Sequence, residues 1–110
     1  MDSTDSADKR HLWLTAAAVE SLERALHIDP KYAEAYVFLG RAQSELREDS
    51  RAIKAYDHAI RIDPRSPDAL YYLALAYLRI NDRHSALKQY RILRRLDREL
   101  AKKVYQLISK

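Results

Sequence analysis

Apolar and polar side chains alternate along this chain with helical rather than strand periodicity. Tyr36, Leu39, Gln43 and Leu46 follow steps of three and four residues, as do Ile53, Tyr56 and Ile60, so each segment carries one stripe that seeks burial. The breaks between stripes have their own chemistry. Ser66 before Pro67 and Asp68 is a helix start, with a hydroxyl to cap free amides and a proline where its missing N–H costs nothing. Asp49-Ser50 and Asn81-Asp82 supply short polar side chains that cap a helix or tolerate a left-handed residue. The pattern predicts helices over 11–28, 32–46, 50–62, 67–80, 83–96 and 98–109. One glycine and few β-branched residues leave no material for strands and hairpin turns, so the expected class is all-α.

Comparison of the chain with itself shows a period of 34 residues. Ile28-Asp29-Pro30 returns as Ile62-Asp63-Pro64; Ala18, Ala52 and Ala86 fall in step, and so do Leu22, Tyr56 and Tyr90. In the other half of the unit, Tyr36, Leu39 and Gly40 align with Leu70, Leu73 and Ala74. Each unit is therefore a pair of helices. Gly40 within a helix costs about 1 kcal/mol relative to alanine, which close approach of a neighbouring helix offsets.

Tyr36-x-x-Leu39-Gly40, Ala52-x-x-x-Tyr56-x-x-Ala59, Asp63-Pro64, Leu73-Ala74-x-x-Tyr77 and Ala86-x-x-x-Tyr90 together make the chain resemble the tetratricopeptide repeat (TPR) family over roughly residues 12–97. Gln43, Arg47 and Leu93 depart from the residues this family prefers, without threatening the fold. The resemblance implies an α-α superhelix of helix-turn-helix repeats, about two and a half of them plus a C-terminal capping helix. The expected organisation is a disordered polar tail at 1–10 and one domain over 11–110. Within that domain lie a half repeat at 11–30, repeats at 31–64 and 65–97, and a cap at 98–110. In the cap, Ala101, Val104 and Leu107 continue the register of Pro67, Leu70 and Leu73, while Lys102, Lys103 and Lys110 keep the outer side wet.

The same resemblance implies a concave groove lined by the first helix of each pair. Its candidate binding residues are Val37, Arg41 and Ser44, then Tyr71, Leu75, Leu78 and Arg79, with Glu34, Glu45, Asp68 and Tyr105 in the same register. The paired Lys and Asn residues with which chaperone-binding members grip a terminal carboxylate are missing, since the single asparagine, Asn81, lies in a turn. A protein or peptide is the expected partner. Helix 11–28 carries more apolar surface than one neighbour covers, so a homodimer is also expected through it, with Leu12, Trp13 and Val19 at the contact.

Composition narrows the alternatives. With 47% hydrophobic and 33% charged residues the chain suits a folded domain rather than a disordered one. It has no cysteine, hence no disulfide or cysteine-rich zinc site. No run reaches the roughly 18 apolar residues of a membrane span, and the polar start MDSTDSADKR is no secretory leader. A cytoplasmic chain with no membrane contact is the expectation.

Catalysis is not expected. His11, His27, His58 and His84 are never within four positions of one another, and one glycine cannot build a phosphate loop. Asp29, Asp63 and Asp97 recur at the joints between units, where capping explains them. No catalytic set, metal site or cofactor is read. Charge is uneven: residues 1–50 hold ten acidic and six basic side chains, 51–78 three and four, and 79–110 three and ten, within a net +4. Lys88, Arg91, Arg95, Arg98 and Lys102 form a basic stripe over 79–110, the alternative surface for RNA or another anionic partner. Aromatic residues for base stacking are sparse there, which favours a solvated helix face over nucleic acid.

Overall fold

The computed structural model describes the backbone of residues 3–110 and the side chains from His11 onward apart from Leu12. Among the described residues there are six helices and no strand: α1 (Ser3–Ile28), α2 (Ala33–Glu45), α3 (Asp49–Ile62), α4 (Pro67–Arg79), α5 (Arg83–Leu96) and α6 (Arg98–Ile108). Five of the six follow the sequence pattern to within a residue or so at each end. The first differs: residues 3–10, expected as a disordered tail, continue α1. Nothing in Ser3–Arg10 breaks a helix, since the stretch has neither glycine nor proline.

The two turns inside the repeats use one device with different residues. After α2, the Glu48 amide donates to the Gln43 carbonyl at 2.9 Å and the Arg47 amide to the Ser44 carbonyl at 3.0 Å. After α4, the Asp82 amide reaches the Tyr77 carbonyl at 2.8 Å and the Asn81 amide the Leu78 carbonyl at 3.1 Å. Both are Schellman caps, which require a left-handed residue. Asn81 takes that role at φ 61°, as its short polar side chain suggests. In the first repeat the left-handed residue is Arg47 at φ 64°, while Asp49 and Ser50, expected to form the break, already belong to α3. The break, expected over 47–49, falls one residue earlier, over 46–48. The carbonyl pattern of the cap sets it, and the side chains of the following turn do not.

Other helix starts follow their local chemistry. Ser66 Oγ accepts from the Ala69 amide with Pro67 at the first helical position. Asp82 accepts from the Ser85 amide and hydroxyl, which holds its carboxyl below the usual range. Asp97 accepts from the amides of Glu99 and Leu100 and caps α6. Asp29 and Asp63, expected to cap as well, instead accept from the Lys31 and Arg65 amides within the joints, while Tyr32 and Ser66 hold the cap positions.

Packing runs as a chain of adjoining clusters rather than one central core. Leu26, Ala35, Leu39 and Ala55 join α1 to the first repeat. Ala52, Tyr56, Leu73 and Ala76 join α3 to α4, and Leu70, Ala74, Leu93, Ala101 and Val104 join α4, α5 and α6. Each unit buries its apolar stripe only against its neighbours, as a quasi-one-dimensional array does. Leu70, Leu73 and Leu93 are buried completely or nearly so, each stabilising by about 1.5–3 kcal/mol through burial. Alanines at 52, 59, 69, 74 and 86 have no exposed surface, because the helices approach too closely there for anything longer. Gly40 is the tightest crossing. A methyl group on it would fall against the Tyr56 ring, 2.7 Å from Cδ1 and 2.8 Å from Cζ.

Candidate functional site

The helices form two layers, and this decides which surface is concave. The backbone of α4 lies close to both α2 and α6, whereas the backbones of α1, α3 and α5 do not approach one another among the described residues. The first helices of each pair are thus gathered on the inside and the second helices splay outward. The inner surface belongs to α2, α4 and α6.

Between α2 and α4 on this surface lies a cluster of Phe38, Arg41 and Tyr72. The Arg41 guanidinium carbon stands 4.7 Å from the centre of the Tyr72 ring and 6.0 Å from that of Phe38, a cation–π arrangement that fixes the group while leaving its edge N–H donors in solvent. Beneath, Tyr72 stacks on Tyr56 with centroids 6.0 Å apart. Burial pushes the Tyr56 phenol above its ordinary range, so it stays neutral at any physiological pH. Two recesses open on either side of this cluster. One of about 410 Å³ runs from Glu34 and Val37 to Asp68; the other, of about 280 Å³, runs from Ser44 to Leu75 and Arg79. Arg41 and Tyr72 line both.

The residues expected in the groove divide into three kinds. Arg41 and Leu75 line the recesses with exposed or half-buried side chains. Val37 and Tyr71 are largely spent on packing: Val37 is buried against Ala59 and Ala69, and Tyr71 packs on the α4–α6 cluster with its ring edge to Tyr72. Ser44 and Arg79 bind each other. The Arg79 guanidinium donates to Ser44 Oγ at 2.6 Å and to the Ser44 carbonyl at 2.9 Å, and it stands 3.4 Å from Asp49. Leu78 is half-buried beside them on α4. Glu45, one repeat earlier than Arg79, likewise reaches back, to His11 at 2.9 Å and Thr15 at 3.2 Å.

Phe38 and Tyr72, which the sequence reading did not place in the groove, both line the recess that runs from Glu34 to Asp68. They share one register position, one repeat apart. The available signal was Phe38 itself, a large apolar residue one position off the buried stripe, and it is half exposed.

Two further surfaces matter. On the α1 side, Leu14, Ala18, Leu22 and Phe38 line a cleft of about 520 Å³ between α1 and α2. Trp13 is 80% and Leu14 67% exposed. Val19, expected at a self-association contact, instead packs half-buried on the Leu26–Leu39 cluster, because it lies on the flank of α1 that meets α2. Leu12 of the same set lies outside the residues whose side chains are described. At the other end, a cleft of about 470 Å³ between α5 and α6 is lined by Tyr90, Arg94, Arg95, Arg98, Lys102 and Tyr105. The described residues include no group of three or more side chains placed to hold a metal, and no described helix is long and apolar enough to cross a membrane.

Among solved structures, MamA is 26% identical with a TM-score of 0.74 over 86% of this chain and 67% of that one. The TPR2AB domain of yeast Sti1 in a pHSP90 complex is 22% identical with a TM-score of 0.81, covering 96% of this chain and 45% of the Sti1 chain. The Yersinia enterocolitica type III secretion chaperone SycD, in complex with a peptide of the translocator YopD, is 14% identical with a TM-score of 0.81, over 99% and 92%. At such identities the last two establish the fold alone. A comparison with curated proteins finds no match. A family profile described as TPR repeat matches residues 48–81, and one described as tetratricopeptide repeat matches residues 68–99. With the 34-residue period, the paired helices and the inner layer of α2, α4 and α6, these matches identify residues 48–99 as tetratricopeptide repeats within a helical array of that fold.

Proposed function

We propose that this chain is a non-catalytic protein-interaction module that binds a segment of a partner protein along the inner face of α2 and α4. The observation that carries the reading is the Phe38–Arg41–Tyr72 cluster between two recesses. It combines an exposed apolar anchor with a guanidinium held in place and free to bond carbonyl or carboxylate oxygens, the composition of an interface hot spot. Neighbours of the same fold are seen in complexes, Sti1 with pHSP90 and SycD with a peptide of the translocator YopD, which supports the class of partner. The test is capture from extracts of the native host by the wild-type chain, by Phe38→Ala and Arg41→Ala, and by Lys54→Ala on α3. A partner retained by wild type and the Lys54 variant and lost from the other two supports the groove. Equal retention by all four removes it.

Self-association through α1 is a second reading, favoured by the exposure of Trp13 and Leu14 beside the α1–α2 cleft. Sedimentation over a hundredfold concentration range, with Trp13→Glu as control, tests it. A wild-type chain that stays monomeric throughout removes it.

A further inference from the structure

The cleft between α5 and α6 gathers four cations, Arg94, Arg95, Arg98 and Lys102, with no carboxylate among its described lining residues. Helix α5 contains no acidic residue. Asp97, at the joint, spends its carboxylate on the amides of Glu99 and Leu100, and Glu99 is not among the lining side chains. The ion pairs among the described residues join His11 to Glu45, Arg51 to Glu48 and Arg79 to Asp49, so none involves these four. Like charges held together repel, and a ligand carrying several negative groups relieves that repulsion. The walls are aromatic: Tyr90 and Tyr105 pack at 5.6 Å, and Arg94 lies 5.9 Å from the Tyr90 ring centre.

We propose that this cleft binds an acidic peptide segment, a run of Asp or Glu side chains, belonging to the same partner that lies along the α2–α4 face; the inference rests on that reading. Continuity favours a peptide. Lys102 and Tyr105 belong to α6, the third member of the inner layer, and stand one period beyond Asp68 and Tyr71. One register position reads Glu34, Asp68 and Lys102 along the three inner helices, so the face changes sign toward α6 and sets a direction for a segment acidic at one end. A nucleic-acid strand needs successive stacking platforms. Here Tyr90 is half-buried on the core, which leaves Tyr105 as the one half-exposed ring of the cleft.

The experiment is fluorescence anisotropy of the whole chain with a fluorescein-labelled hexaglutamate peptide, its hexaglutamine counterpart, and an oligouridine of matched charge. Hexaglutamate should bind, hexaglutamine should not, and binding should weaken as added salt shortens the screening length from about 10 Å at 0.1 M toward about 3 Å at 1 M. The double variant Arg95→Glu with Arg98→Glu should lose about tenfold or more in affinity, while Arg24→Glu with Lys54→Glu, the same change of net charge on α1 and α3, should stay within about twofold. All four residues are exposed, and circular dichroism confirms the fold of each variant. Equal loss in both double variants, equal binding of the glutamine peptide, or tighter binding of the oligouridine overturns the proposal. Absence of hexaglutamate binding with the Phe38→Ala effect on partner capture intact removes the acidic cleft and leaves the groove standing.

Discussion

The two complete repeats share a period but solve the same packing problems with different residues. At the crossing of paired helices, the first repeat sets Gly40 against a buried Tyr56; the second has Ala74 and a half-buried Tyr90 at these positions. In the turn between helices, the first forces Arg47 into the left-handed region and the second uses Asn81. At the end of the inner helix, Glu45 ties the first repeat back to α1 and Arg79 ties the second back to the α2–α3 turn. The register is thus preserved by volume and backbone geometry, not by residue identity, and opposite charges serve one structural role.

The most severe way to break this comparison is to enlarge Gly40. Gly40→Leu should drive a branched side chain into the Tyr56 ring and destabilise the module by about 3 kcal/mol or more, read as a loss of cooperative melting. An unchanged melting midpoint means that the helix register is misassigned. Next come the reciprocal exchanges. Gly40→Ala gains about 1 kcal/mol in helix propensity but places a methyl against the ring, so a net loss of about 1–3 kcal/mol is expected. Ala74→Gly loses helix propensity and a fully buried methyl, for about 2 kcal/mol. A Gly40→Ala variant more stable than wild type would show that the Tyr56 ring yields to the methyl and that the two crossings are packed alike.

The inter-unit ties should matter less. Arg79→Ala removes two hydrogen bonds to Ser44 and the approach to Asp49, for a cost of about 1–2 kcal/mol after allowance for its partial exposure. Glu45→Ala should cost less, because its partner His11 is mostly exposed. Urea titration ranks the two, and the reverse order would contradict the geometry. The smallest effect sharpens the turn comparison. Arg47→Gly relieves a left-handed arginine and should stabilise by about 1 kcal/mol, whereas Asn81→Gly should gain only a few tenths, since asparagine already tolerates that region. Calorimetry of the two variants decides it. A larger gain at Asn81 would show that side-chain hydrogen bonding, not backbone strain, governs the turns.

Much of the array was legible in residue order because helix pairs of this kind are specified locally. The steps of three and four, the caps at Ser66, Asp82 and Asp97, and the small residues every 34 positions each act within one unit or on its immediate neighbour. Periodicity also identified α2, α4 and α6 as a common series. It could not say which members of an inward-facing register stay free. Val37 is consumed by Ala59 and Ala69, and Ser44 and Arg79 by each other, while Phe38, one step off the stripe, stands half exposed. Those outcomes depend on how far neighbouring units rotate on one another, a distance-dependent matter between residues some thirty positions apart. The gathering of Arg94, Arg95, Arg98 and Lys102 around two tyrosines is of the same kind. A basic stripe was visible in the sequence, but only the angle between α5 and α6 turned it into a cleft.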